Sequence, residues 1–161
     1  MDLRTFIRGM QLALRASVAA GVSIALAQLF GLEHPIYSFL SAVIVTDLAP
    51  SQSRRLGTHR LLSTVVGALW GAALNQILPA GAWAVGLGIL IAMLTCQLLR
   101  SPEGAKVAGF TCGIIVLQNS PDPWAGAVSR LIETALGVTV ALLVSYAPKL
   151  IRIDESDNKI A

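Results

Sequence analysis

Six apolar segments joined by very short connections leave this 161-residue chain few ways to fold. They cover residues 10–30, 36–49, 61–78, 83–99, 107–119 and 125–147. About 20 residues of apolar helix cross a bilayer core. The first, third, fourth and sixth segments reach or approach that length, and the second and fifth fall short. Charged residues make up 13% of the chain and apolar ones 55%. A soluble domain carries about 25% charge, and one this apolar would expose patches that aggregate. The expected architecture is therefore an all-α integral membrane protein of six transmembrane helices. Residues 1–150 form that one domain, and 151–161 form a short, polar, disordered cytoplasmic tail. The first segment is longer than a signal-peptide core and lacks its cleavage site, so it is read as retained.

The net charge of +3 is arranged by topology. Arg4, Arg8 and Arg15 precede or open the first segment. Arg54, Arg55 and Arg60 lie in the second connection, SQSRRLGTHR. Arg100 and Lys106 lie in the fourth, and Lys149, Arg152 and Lys159 follow the sixth segment. The other three connections contain no Lys or Arg, so 11 of the 12 basic residues fall on one side. The positive-inside rule puts both termini in the cytoplasm. It also accounts for the basic excess without nucleic acid. Tyr37, Trp83 and Trp124 sit at the outer helix ends, where amphipathic rings settle at a membrane interface.

The two halves resemble each other. RLLSTVVG, with Arg60, Thr64 and Gly67, recurs as RLIETALG, with Arg130, Thr134 and Gly137. FLSAVIVTDLAP from Phe39 aligns with FTCGIIVLQNSP from Phe110, and AQLF from Ala27 aligns with CQLL from Cys96. Three helices per half is an odd number, so the second half enters the membrane from the opposite side. This is a 3+3 inverted repeat, a common plan among secondary transporters. Arg130, the one basic residue on the outer side, is then the counterpart of Arg60. The short second and fifth helices occupy matching positions, which points to a transport site near the midplane. Steep helices with polar extensions give the same pattern without a site.

Arg60, Thr64, Gly67, Gly71 and Asn75 share one face of the third helix. Arg130, Thr134, Gly137, Ala141 and Ser145 share one face of the sixth. Two readings stand. Small residues let helices pack closely in lipid, or the faces line a polar path for an anion, with an arginine near each mouth and Thr64, Thr134 and Asn75 along it. A charge inside a bilayer is costly and faces protein or water. Glu133 can pair with Arg130 at i,i+3, compete with a substrate anion, or carry a proton. Asp47, in the second short helix, is either paired with Arg54 or Arg55 or is a second coupling carboxylate. Arg54 and Arg55 fix topology, touch headgroups and gather anions at the inner mouth. His34 and His59 are in connections on opposite sides. Cys96 and Cys112 have no pairing or ligand spacing. No enzyme, metal or cofactor is read from these residues.

Most of the chain, from about Ala13 to Tyr146, resembles the fusaric acid resistance and aromatic acid exporter superfamily. SAVIVTDLAP, SRRLGTHRLLSTVVGALWG and SRLIETALGVTVALLVS carry the resemblance. That superfamily has R-L-L-G-T-x-x-G in one helix and E-R-x-x-E-T-x-x-G in the last. Here Ser63 stands in the place of the glycine, and Ser129 in the place of the first glutamate. The resemblance implies an inner-membrane exporter of aromatic carboxylic acids coupled to the proton gradient. Bacterial relatives often carry two membrane modules, so this single module is expected to pair as a homodimer. The membrane domain of plant aluminium-activated malate transporters is also similar. By that comparison the chain would be a channel for carboxylates or inorganic anions, with Arg60 and Arg130 as pore arginines. A third reading is a membrane scaffold that transports nothing.

Overall fold

Prolines punctuate the chain where its helices begin. The computed structural model describes residues 3–118 and 120–146. The expected tail over 151–161, with Lys149, Arg152 and Lys159, lies outside them, as does Asn119. The described residues form six helices: α1 Leu3–Leu29, α2 Pro35–Val45, α3 Pro50–Ile77, α4 Ala82–Leu98, α5 Ala105–Gln118 and α6 Pro123–Tyr146. A 3-10 turn at Pro102–Gly104 precedes α5. Pro35, Pro50 and Pro123 each open a helix, where the missing N–H costs nothing. Leu78, before Pro79, is extended and ends α3.

Two expectations on helix limits are corrected. The third helix begins at Pro50 rather than residue 61, so SQSRRLGTHR is helix and not a connection. His59 is accordingly on a helix. Its polar residues hid the helix from hydropathy, yet Ser53 and Gly57 are buried against α6. The second helix stops at Val45 rather than residue 49, which leaves Asp47 in the turn before α3. The short helices remain short: α2 has 11 residues and α5 has 14, or about 16 and 21 Å of rise. Phe6–Leu29 and Pro123–Tyr146 are long and apolar enough to cross a membrane.

The core falls into four clusters. Val66, Leu74, Ala84, Ala92, Cys96, Ala108, Cys112 and Val116 join α3, α4 and α5. Ala19, Ala42 and Val140, with Leu26 and Val144, join α1, α2 and α6. Ala68, Ala72, Ile115 and Ala127 form one end of a seam between α3 and α6. Val45, Val138 and Ala141, with Leu56 and Leu61, form the other. Ser53 Oγ lies 2.8 Å from Ser145 Oγ in that seam. Ser53 thus meets Ser145 while Ala72 meets Ala127, so α3 and α6 run antiparallel. α2 packs on α1 and α6, and α5 packs on α4 and α3. α2 and α5 do not pack on each other.

Buried polar side chains lie among the apolar core, and many large apolar side chains face outward. Arg60, Arg130, Glu133, Thr64 and Thr134 are buried, whereas Leu62, Leu69, Leu90, Leu94 and Leu143 are exposed. Trp83 and Trp124 are also exposed. Cys96 and Cys112 are free thiols packed in the core.

α1 and α4 end alike. Leu32 N donates to Ala27 O at 2.9 Å, with Gly31 at φ 65° between them. Ser101 N donates to Cys96 O at 3.0 Å, with Arg100 at φ 55°. Both are Schellman closures, which favour glycine at the left-handed position. Arg100→Gly is therefore expected to raise stability by about 1 kcal/mol, read as a higher unfolding temperature in detergent.

Candidate anion site between the short helices

Arg60 and Arg130 come from α3 and α6, and both reach into the gap between α2 and α5. Arg60 Nε donates to Ser41 Oγ on α2 at 3.1 Å. Its guanidinium lies 5.2 Å from the ring centroid of Phe110 on α5. Arg130 Nη2 donates to Gln118 Oε1 on α5 at 2.7 Å. Its guanidinium lies 4.0 Å over the ring of Tyr37 on α2. Each arginine thus braces α2 against α5 with one neutral polar group and one aromatic face. Tyr37 and Ser41 are four residues apart on α2, and Phe110 and Gln118 eight apart on α5. The two guanidinium levels are therefore about 6–12 Å apart along the bundle.

Arg60 is 3% exposed and Arg130 2%. Nη1 of each is buried with no hydrogen-bond partner among the described residues. Two like charges at this separation repel by about 2 kcal/mol at an effective dielectric of 20. Neither arginine makes an ion pair among the described residues. The expected pairing of Arg130 with Glu133 does not form. The arginine is drawn onto Tyr37 and Gln118, and the carboxylate turns to α2. Glu133, 0% exposed, accepts from the backbone N–H of His34 at 2.8 Å and from Ser129 Oγ at 3.2 Å. It thereby caps α2, whose own N-cap His34 supplies no side-chain bond. Glu133 Oε2 is left without a partner.

The remaining candidates separate. Thr64 is buried, but its hydroxyl donates to Arg60 O on its own helix at 2.8 Å. Thr134 is buried on the matching face of α6. Asn75 Nδ2 donates to Ile115 O at 2.8 Å and ties α3 to α5. Asp47 accepts from Ala49 N at 3.0 Å, within its own turn. The expected partnership of Asp47 with Arg54 or Arg55 is absent. Arg55 Nη2 instead donates to Glu103 Oε1, and Arg54 lies 5.7 Å from the ring of Tyr146. The same cluster also holds His59, whose Nδ1 is 2.7 Å from Ser101 Oγ and whose Nε2 is 3.7 Å from Glu103. Sequence spacing gives no hint of this Ser101–His59–Glu103 grouping. It fastens the 3-10 turn to α3. The glycines of the two faces are close-packing positions. A Cβ on Gly67 would stand 2.4 Å from Ala108 O, and one on Gly137 would stand 2.0 Å from Ser38 O. Among the described residues no group of three metal-ligating side chains assembles.

The described residues thus form a helical bundle with two buried arginines that make no ion pair among them. The chain belongs to the fusaric acid resistance protein-like family, which matches residues 22–144. That family is one of transporters. A UPF0421 protein of Halalkalibacterium halodurans is 23% identical over 133 residues, 83% of this chain and 37% of the relative. One of Staphylococcus saprophyticus is 25% identical over 134 residues, 81% of this chain and 41% of the relative. One of Staphylococcus haemolyticus is 27% identical over 114 residues, 70% of this chain and 34% of the relative. The chain thus spans about two-fifths or less of the length of these curated relatives. No solved structure matches it.

Proposed function

We propose that the chain is a bilayer-embedded module that passes small organic anions, with Arg60 and Arg130 as the groups that hold them. One observation carries this. Two buried guanidinium groups, each with a neutral partner and a spare N–H, face one gap between the short helices. An anion beside either arginine would satisfy its spare donor and weaken the repulsion between the two. Aromatic carboxylates are the class to which the family resemblance points, and export driven by protons is the favoured mode. Glu133 is the buried titratable group beside the site, and Asp47 sits in the inner turn. Arg54 and Arg55 gather anions at that inner face. A second copy packed against the apolar exterior, giving a homodimer, belongs to the same reading.

An inverted repeat of three helices plus three, with both termini in the cytoplasm of a cell with an inner membrane, gives the site its setting. Supporting it are the matching closures at Gly31 and Arg100, the matching close approaches at Gly67 and Gly137, and the exchange of partners between halves. α3 of the first half packs on α5, and α6 of the second packs on α2.

Flux in proteoliposomes tests the proposal, with an aromatic carboxylate, malate and chloride compared. Flux that needs a pH gradient and is lost in Glu133→Gln is the expected result. Flux driven by potential alone, and surviving Asp47→Asn and Glu133→Gln, would make the protein an anion channel. Silence with every anion would sink the transport reading and favour a scaffold.

A further inference from the structure

The geometry points to a ligand site at the first turn of α2 that takes a carboxylate carrying its own N–H or O–H donor on the adjacent carbon, as α-hydroxy and α-amino acids do. It rests on the anion reading above and adds what the anion must bring. Arg130 and Glu133 stand three residues apart on α6, so their Cβ atoms are about 5–6 Å apart on one face. Both side chains reach the same turn of α2. Arg130 lies over Tyr37, and Glu133 accepts from His34 N. Each spends one end on a neutral group and leaves one buried atom over.

The two leftovers are of opposite kind. Arg130 Nη1 lacks an acceptor, and Glu133 Oε2 lacks a donor. A bare carboxylate is acceptor only. It satisfies the arginine and is repelled by the glutamate. A carboxylate with an adjacent hydroxyl or ammonium satisfies both. Arg130 and Glu133 attract each other through space without a hydrogen bond between them, and the neutral groups nearby are already engaged. Gln118 Oε1 is taken by Arg130 and Ser129 Oγ by Glu133 Oε1. His34 Nδ1 is 4.0 Å from Oε1, beyond hydrogen-bond distance.

The inner arginine lacks this second element. Ser63 occupies the place on α3 that Glu133 has on α6, and its hydroxyl donates to His59 O and Arg60 O. Among the described residues the Arg60 guanidinium meets the Ser41 hydroxyl and the Phe110 ring, and no carboxylate pairs with it. Arg60 therefore accepts any small anion, and selection for a donor falls to the Arg130 side.

Binding is read as the shift in unfolding temperature of the purified full chain in detergent, titrated with mandelate and with phenylacetate. These differ only in the α-hydroxyl. Mandelate is expected to bind at least about tenfold more tightly, the order of effect of leaving one buried polar group unpaired. Phenylalanine against 3-phenylpropanoate repeats the comparison with an ammonium. A preference in the first pair alone assigns the donor to a neutral hydroxyl, and one in the second alone assigns it to an ammonium. Glu133→Gln keeps an acceptor for His34 N and is expected to narrow the preference toward unity. Equal binding within both pairs by the unaltered chain overturns the proposal, whether or not the variant folds, and so does binding of none of the four. Flux separates this from the reading it rests on. Equal transport of both members of each pair at equal KM sinks the donor requirement alone. Discriminating binding without flux sinks the transport reading and leaves the site.

Discussion

A methyl group at position 137 is expected to stop the bundle from assembling. The Cβ of Gly137→Ala would lie 2.0 Å from Ser38 O and 2.9 Å from Ser41 Cβ, against backbone and near-backbone atoms that have no rotamer by which to yield. α6 would have to lift off α2 by more than an ångström. That shift carries Arg130 off Tyr37 and Glu133 off His34 N, because both contacts cross the same α2–α6 face. Overpacking of this kind costs about 3 kcal/mol or more, a large part of the total stability of a small protein. The expected result is loss of the monodisperse peak in size-exclusion chromatography after detergent extraction. Gly126→Ala on the same helix, with nothing within 4 Å of the new carbon, is the matched control and should run as the unaltered protein. An unaltered profile for Gly137→Ala would mean that α2 and α6 do not meet backbone to backbone.

The second large effect separates stability from transport. Arg60→Met is expected to leave the fold as stable as before or more so, while anion flux falls at least about 30-fold. The arginine is buried with an N–H unpartnered, and replacing such a charge with an apolar side chain of similar length is often neutral or stabilising. Methionine can follow the same course over the Phe110 ring. Removing the guanidinium strands nothing, because the Ser41 hydroxyl keeps its bond to Tyr37 O at 2.7 Å. On the proposed reading, what disappears is the cation that meets the anion, and losing one side of a buried charge contact costs about 2–5 kcal/mol. Unfolding temperature and proteoliposome flux measured on the same preparation decide the matter. A drop in both would make Arg60 a strut between α2 and α5 rather than a binding group.

Much of this was legible before any coordinates, and what was not has a physical reason. Six helices follow from apolar runs punctuated by Pro35, Pro50, Pro79 and Pro123. The first three turns of α3 were missed because hydropathy sees SQSRRLGTHR as polar. The signal lay in spacing: Ser53, Gly57, Arg60, Thr64, Gly67 and Gly71 continue one small-residue face without a break. Arg60 and Arg130 stand out because RLLSTVVG recurs as RLIETALG, with an arginine opening each. Their partners do not. Gln118 at a helix end and Tyr37 at an interface look like ordinary boundary residues, and only packing brings them beneath Arg130. The i,i+3 rule favoured a bond between Arg130 and Glu133, but a ring and a free helix N-terminus on a neighbouring helix lay nearer to hand. The same rule of tertiary override gathers Ser101, His59 and Glu103 from separate stretches.

The way the glycines and the core clusters are distributed has a mechanical consequence. Gly67 against Ala108 O locks α3 to α5, and Gly137 against Ser38 O locks α6 to α2. Each trio of helices is thereby stiff. Between the trios runs the α3–α6 seam, where side chains such as Ala68, Ala127, Val138 and Leu56 meet and Gly57 packs on the Val138 side chain rather than on a carbonyl. Packed helices whose interface is smooth deform by shear, in small slides along the contact. Compliance is thus concentrated in one plane, and the gap that the two arginines cross lies on either side of it. A slide along that plane changes the length each guanidinium must bridge, so on the proposed reading the grip on an anion and the shape of the bundle are one degree of freedom.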